Sequence, residues 1–362
     1  MNNFSFKIDN SRNRRAVSLW TPVLAICALI FSLLGTNAES VPRFSAEQGL
    51  ECGECHFSPG GGAMRNEYGH FTMSVNELTL QSTKKKLLPS YRGPRLSEAI
   101  TIGSDMRMRL TESGSYERFQ ADIYVSIEPF DRVYFNTTIS GGAIDENYML
   151  VTNLNRDYYV QMGRFYPQFG MKVEDFSSFV RQKSGFFHRL ALNGITLGTK
   201  VLKRQVSISY FSQGDQGIFV GNVSRVGWFG SVGYLVGFSA RFSEELDNNT
   251  HGAFPAAKSL YGGFSWKGHS LMLEANLIGE SNDSLALYAG GTIKFIPGLY
   301  GRVDYNYFDP DRHLQTGYVS FTRVSIEFWP IPFMEINPGV SFYTAGPQDG
   351  QGEFELRTHF AY

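Results

Sequence analysis

The feature that most constrains the fold is an alternation of apolar and polar residues that starts near Ile100 and runs to Tyr362. Successive side chains of a strand point to opposite faces, so a period of two predicts strands with one apolar and one polar face. Leu299, Gly301, Val303, Tyr305 and Tyr307 share one side, with Tyr300, Arg302, Asp304 and Asn306 on the other. Further on, Thr322, Val324, Ile326 and Phe328 oppose Arg323, Ser325 and Glu327. The last segment sets Phe354, Leu356, Thr358, Phe360 and Tyr362 against Glu353, Glu355, Arg357 and His359. Counted this way, the chain holds about 16 strands, an even number as single-chain bacterial barrels require. The weakest segments are 146–153 and 222–229, and losing one hairpin leaves 14.

A soluble sandwich carries the same alternation with its apolar face turned inward. Two features favour an antiparallel outer-membrane barrel with its apolar face on lipid. Short connections at Pro129–Asp131, Leu202–Arg204, Trp266–Gly268, Ile296–Gly298 and Ile331–Phe333 alternate with longer polar ones at Gly141–Glu146, Phe165–Leu190, Glu244–Lys258, Asp309–Thr316 and Ala345–Gly352. That is the pattern of tight periplasmic turns and longer outer loops. The chain also ends on an aromatic residue of an amphipathic strand, Tyr362. Charged residues are only 19% and aromatics 15%, which suits lipid contact and aromatic girdles. The net charge of −1 gives no reason to expect nucleic acid. A monomer is expected, with an oligomer as the alternative.

The N-terminus reads as an export signal. Arg12, Arg14 and Arg15 precede an apolar run from Leu19 to Leu34, and small residues at Thr36–Ala38 mark cleavage after Ala38. The run is shorter than the roughly 20 residues of a spanning helix. Bulky Ile26 before Cys27 speaks against a lipoprotein signal. The expected divisions are a signal at 1–38, a small segment at 39–95 and a barrel at 96–362.

Loss of the signal removes Cys27 and leaves one pair, Cys52 and Cys55, followed by His56. C-x-x-C-H is the attachment motif of c-type haem. Two thiols add to the two porphyrin vinyl groups, and the adjacent imidazole ligates the iron from the proximal side. A redox disulfide and a partial zinc site with His70 are the alternatives, and zinc normally takes four ligands. For the distal ligand, His70 is preferred to Met64, with Met73 also in range. Gly60, Gly61 and Gly62 let chain pass close to a porphyrin face. A segment of about 50 residues is short for an independent domain, so residues 39–90 are expected to dock in the barrel and plug it. Lys84, Lys85 and Lys86 read as a solvated linker. The long connection from Phe165 to Leu190 carries Arg181, Lys183, His188 and Arg189. It is read as an external loop, with a fold into the lumen against haem propionates or an anionic solute as the alternative.

These parts in this order include Pro42-x-Phe44, a single Cys52-x-x-Cys55-His56 and the Tyr68-Gly69 pair before a porin-like barrel. Together they resemble the fused monohaem cytochrome–porins. The resemblance covers the whole architecture, but its specific residues lie in the haem segment. It implies that Cys52, Cys55 and His56 hold one haem c. It also implies electron transfer between an extracellular donor, iron in the iron-oxidising members, and periplasmic cytochromes. The chain departs at Pro59–Gly62, at Met64-Arg65-Asn66 and at His70. The functional expectation is electron transfer across the outer membrane in either direction, by Fe(II) oxidation or extracellular metal reduction, rather than classical enzyme chemistry. A solute porin with haem as sensor or structural plug is the second reading, and a peroxidase-like haem enzyme the third. His251 and His313 fall in expected outer loops, where solvated histidines are the ordinary finding and a metal donor the alternative.

Overall fold

A computed structural model describes residues 41–361 apart from 63, 72–77, 84–93, 154, 156, 174–176, 185–189, 214–215, 245–254, 280, 282 and 315–316. The signal segment, Met73, Lys84 to Lys86, His188, Arg189, His251 and Tyr362 lie outside the described residues.

Sixteen antiparallel strands close into one barrel. They are β1 (Ile100–Thr111), β2 (Tyr116–Phe130), β3 (Val133–Ser140), β4 (Ala143–Thr152), β5 (Tyr158–Phe165), β6 (Leu192–Val201), β7 (Arg204–Gln213) and β8 (Gln216–Phe229). The second half comprises β9 (Val232–Glu244), β10 (Ala257–Trp266), β11 (His269–Ile278), β12 (Ser284–Ile296), β13 (Leu299–Asp309), β14 (Val319–Ile331), β15 (Met334–Ala345) and β16 (Gly352–Ala361). Each strand pairs with its sequence neighbours, and β1 closes on β16 with Asp105 opposite Ala361 and Thr111 opposite Glu355. Both weak segments are strands, and the second is longer than the pattern suggested.

Burial decides between sandwich and membrane barrel. Asp304, Arg323, Glu327 and Glu355 are almost wholly buried, while Ile208, Leu260, Val324 and Ile326 are exposed. The polar face is therefore inside and the apolar face outside, as lipid demands. Aromatic residues gather toward both rims of the outer surface, including Phe130, Phe229 and Trp266 at one end and Tyr210, tilted against Phe219, at the other. The turns are as tight as expected at one end. Leu202 and Lys203 both take positive φ, as do Lys267 and Gly268, the backbone of two-residue hairpins. At the opposite end the β3–β4 connection is only Gly141–Gly142, shorter than the loop expected at Gly141–Glu146. Pairing shifts there: Thr138 faces Glu146 but Ile139 faces Ile144, so Asp145 is bulged. The bulge turns two successive carboxylates, Asp145 and Glu146, into the buried interior.

The N-terminal segment fills the short-turn half of the lumen. Helix α1 (Val41–Gln48) lies against β8–β11. Gly233 lets it come so close, because a β-carbon there would run into the Ala46 carbonyl oxygen. The helix is followed by one turn, α2 (Cys52–Cys55). Lys203 donates to the Gly49 carbonyl at 3.3 Å, Gln205 to that of Pro59 at 2.9 Å, and the Leu80 N–H to Trp329 O at 3.3 Å. Phe57 meets Tyr134 edge-on at 5.9 Å between centroids. Phe44, Leu78, Tyr300 and Trp329 form one buried apolar cluster.

Arg43 is fixed by charge. Its guanidinium donates to Glu327 at 2.6 Å, and Arg302 donates to the other oxygen of Glu327 at 2.9 Å. Removing one member of such a buried group leaves the others uncompensated, at a cost of about 3–5 kcal/mol. Glu327→Ala is therefore expected to loosen the plug without opening the barrel. Protease should release fragments cut between residues 41 and 83 under conditions that leave the parent intact, while the barrel keeps its heat-modifiable migration. Equal resistance of the two proteins would show that this group does not hold the plug.

The β5–β6 connection corrects an expectation. It does not project as an external loop but folds into the lumen, with Phe169, Met171, Val173 and Val180 buried. Lumen side chains take up its backbone: Gly170 N–H donates to Ser239 at 3.0 Å, Met171 N–H to Glu274 at 3.1 Å, and Asn276 to the Val180 carbonyl at 2.9 Å. A short helix, α3 (Phe179–Gln182), crosses near β12 and β13.

Candidate functional site

Cys52 and Cys55 sit at the two ends of α2 and are not joined to each other by a disulfide. One helical turn sets their side chains on the same side, and the His56 N–H closes that turn on the Cys52 carbonyl at 3.1 Å. His56 then pairs as an isolated bridge with Arg65, which folds residues 57–64 into a glycine-rich loop. Gly61 and Gly62 both have φ of +74°, and a β-carbon on Gly61 would sit 3.0 Å from that of Cys52. A side chain at Gly61 would crowd the space beside the motif.

Asn66, noted in the sequence only as part of the Met64-Arg65-Asn66 stretch, organises the rest. Its N–H donates to the Cys55 carbonyl at 3.0 Å and its amide to the Glu54 carbonyl at 2.9 Å. Its side-chain oxygen accepts from Gly69 N–H at 2.9 Å, and its carbonyl from His70 N–H at 2.9 Å. Asn66 therefore couples the turn carrying the cysteines to the turn carrying His70. A β-carbon on Gly69 would run into the Cys55 carbonyl oxygen, so the two turns touch backbone to backbone. Gly69→Val is expected to drive them apart, at about 1–3 kcal/mol for an overpacked site. Its measurable consequence is a lower denaturation midpoint for the plug and a changed spectrum of any bound haem, with the barrel unaffected. An unchanged midpoint would mean the contact relaxes freely.

Three spaces meet at this segment, and His56 borders all of them. The first, about 970 Å³, is lined by both cysteines, His56, Phe44, Leu78 and Met171. The second, about 1070 Å³, lies toward β1–β4 and is lined by His56, His70, Arg65, Asp122, Glu146 and Lys172. The third, about 1710 Å³, is an open groove at the short-turn end with His56, Phe57, Tyr68 and Phe71 in its walls. His70 is 2% exposed. Burial, assisted by Arg65, lowers its pKa to about 4, so its imidazole is neutral and has a lone pair for a metal through the physiological range. Burial pushes the Cys52 thiol up, offset in part by the Ser45 hydroxyl.

Of the expected site residues, Cys52, Cys55, His56 and His70 are brought together around these spaces. Met64 is buried, its carbonyl accepting from Phe57 N–H at 3.2 Å, and it is not among the residues lining the three spaces. The donor set and the glycine cradle beside Cys52 fit a c-type haem. Among the described residues no three His, Cys, Asp or Glu side chains cluster tightly enough to hold a bare metal ion. The lumen charges Arg302, Asp304, Arg323, Glu327, Glu355 and Arg357 form ion pairs with one another or with Arg43 and Arg109. His313 is exposed and pairs with Asp283 at 3.3 Å.

The fold matches solved outer-membrane proteins. OprB of Pseudomonas putida at high pH aligns with a TM-score of 0.57 and 9% identity, over 77% of this chain and 96% of its own. OmpT of Vibrio cholerae aligns with a TM-score of 0.52 and 10% identity, over 74% and 99%. A mutant of Rh. blastica porin aligns with a TM-score of 0.51 and 10% identity, over 73% and 100%. At such identities the likeness is one of fold: a sixteen-stranded barrel of the outer-membrane porin type. No protein-family model matches the chain, and no curated protein matches it in sequence.

Proposed function

We propose that this outer-membrane barrel carries electrons between the two sides of the membrane through one c-type haem held by its plug. The observation that carries the reading is the position of His56. It borders the inner chamber below the lumen loop and also the groove that opens at the short-turn end. A porphyrin iron bound there supplies reversible one-electron chemistry. The chain's own residues do the rest. Cys52 and Cys55 would anchor the ring, and His56, with His70, would hold its iron. Phe44, Leu78 and Met171 exclude water from the first cavity, and burial of this kind tunes the potential of a metal centre. The barrel wall carries the site through a hydrocarbon layer roughly 30 Å thick that no soluble carrier crosses. On this reading the partners are a periplasmic electron carrier on one side and an extracellular donor or acceptor, iron included, on the other.

A second reading has its own support. The porin-type fold and the lumen loop suit a solute channel in which the haem segment is a structural plug or sensor. Vesicles holding a trapped electron acceptor, with the protein inserted and reductant added outside, separate the two. The conduit predicts reduction of the trapped acceptor through a six-coordinate low-spin haem, with small solutes retained. Free passage of solutes with an acceptor that stays oxidised would reject it in favour of the channel.

A further inference from the structure

The groove at the short-turn end has a charge pattern that the electron-transfer reading does not require. Among its described lining residues are four carboxylates, Glu54, Glu67, Glu98 and Glu128, and two cations, Arg95 and Lys200. Both cations are paired, and Arg95 keeps its side chain 47% exposed. Lys200 has a side chain only 10% exposed and lies 3.8 Å from Glu54. Arg95 pairs with Glu67 at 3.5 Å and donates to the carbonyls of Ser97 and Glu98. The side chains of Glu54 and Glu67 are 53% and 61% exposed, and Glu98 is exposed as well. Inside this acidic rim lies an aromatic floor of Phe57, Phe71 and half-exposed Tyr68, next to His56.

The surrounding turns are low. β2–β3, β6–β7, β8–β9, β10–β11, β12–β13 and β14–β15 are each joined by two residues and β4–β5 by five, so the described turns at this end are short. An aromatic centre with a charged rim is the make-up of a small, transient interface. Rim charge acts mainly by steering encounter.

We propose that this groove docks a soluble one-electron carrier whose exposed redox edge is ringed by lysine and arginine. The inference rests on the haem reading and adds the surface and the sign of the partner's charge. The test uses the full-length protein in neutral phosphatidylcholine nanodiscs, reduced, desalted and mixed by stopped flow with a lysine-rich cytochrome c. The same cytochrome with its lysines succinylated is the charge-reversed probe. The bimolecular rate with the lysine-rich form is expected to fall at least about tenfold between about 0.01 M and 1 M salt, as screening shortens the reach of the rim charges. At low salt it should also exceed the succinylated rate by about tenfold, and drop by a similar factor in the Glu54→Gln, Glu67→Gln, Glu98→Gln, Glu128→Gln variant. Rates indifferent to salt and to these substitutions, or faster with the succinylated form, overturn the docking surface alone, provided the haem band is present and reducible. Absence of a covalent haem band overturns the haem reading and this inference with it.

Discussion

Protein in which both Cys52 and Cys55 are replaced by alanine is expected to migrate free of covalent haem on a denaturing gel. The parent should carry one haem per chain. The effect is all-or-none because each thioether would be a covalent bond, and the one other cysteine of the sequence, Cys27, lies outside the motif. The barrel should survive the change, since its sixteen strands pair with one another independently of the motif. The informative comparison is therefore haem staining against heat-modifiable migration in one sample. Loss of stain with an intact barrel is the expected result. A parent chain that never stains, even when co-expressed with haem-attachment machinery, would reduce Cys52-x-x-Cys55-His56 to a dithiol beside a histidine and end the electron-transfer reading.

Removing residues 41–83 is expected to turn a sealed barrel into an open one. A sixteen-stranded barrel is wide enough for an aqueous channel. Here the plug spans the short-turn half, bonded to Lys203 and Gln205 on one side and to Glu327 and Trp329 on another. The lumen loop remains in the truncated chain, but it is held by Ser239, Glu274 and Asn276 and borders the chamber without the plug's span. Conductance in planar bilayers should rise about tenfold or more over the parent. A parent that already conducts as well as the truncated chain would show that the plug leaves a path for ions, and would favour the solute channel. A truncated chain that stays closed would assign the seal to the loop.

The strands were legible because their cause is local: lipid on one side and a polar interior on the other impose a period of two on every segment. Arg323 and Val324 could be assigned to opposite faces without knowing any partner. The trio Cys52, Cys55 and His56 stands out in sequence for a similar reason, since C-x-x-C-H is a pattern contained within five residues, and the structure sets the three on one turn and its end. Features that depend on distant chain were not legible. The inward fold of the β5–β6 connection rests on Ser239, Glu274 and Asn276, far along the sequence. Its one local sign was apolar Phe169, Met171 and Val173 in a stretch otherwise read as polar. The bulge at Asp145 left no mark, because two adjacent acidic residues in a strand ordinarily face opposite ways. Asn66 looks like any loop asparagine until its four hydrogen bonds join the turns of Cys55 and His70.

The plug's attachments also carry a schedule. Its residues touch Tyr134 near the start of the barrel sequence and Trp329 near the end, while the seam between β1 and β16 joins the first strand made to the last. Ring closure over such sequence separations is the slow, entropically costly part of folding. A segment already lying where the axis will be offers contacts to early and late strands alike. It can act as a mandrel on which the sheet winds before its edges meet. On that account the plug's contacts at Tyr134 and Trp329 help to bring the two edges of the sheet, β1 and β16, within reach of each other.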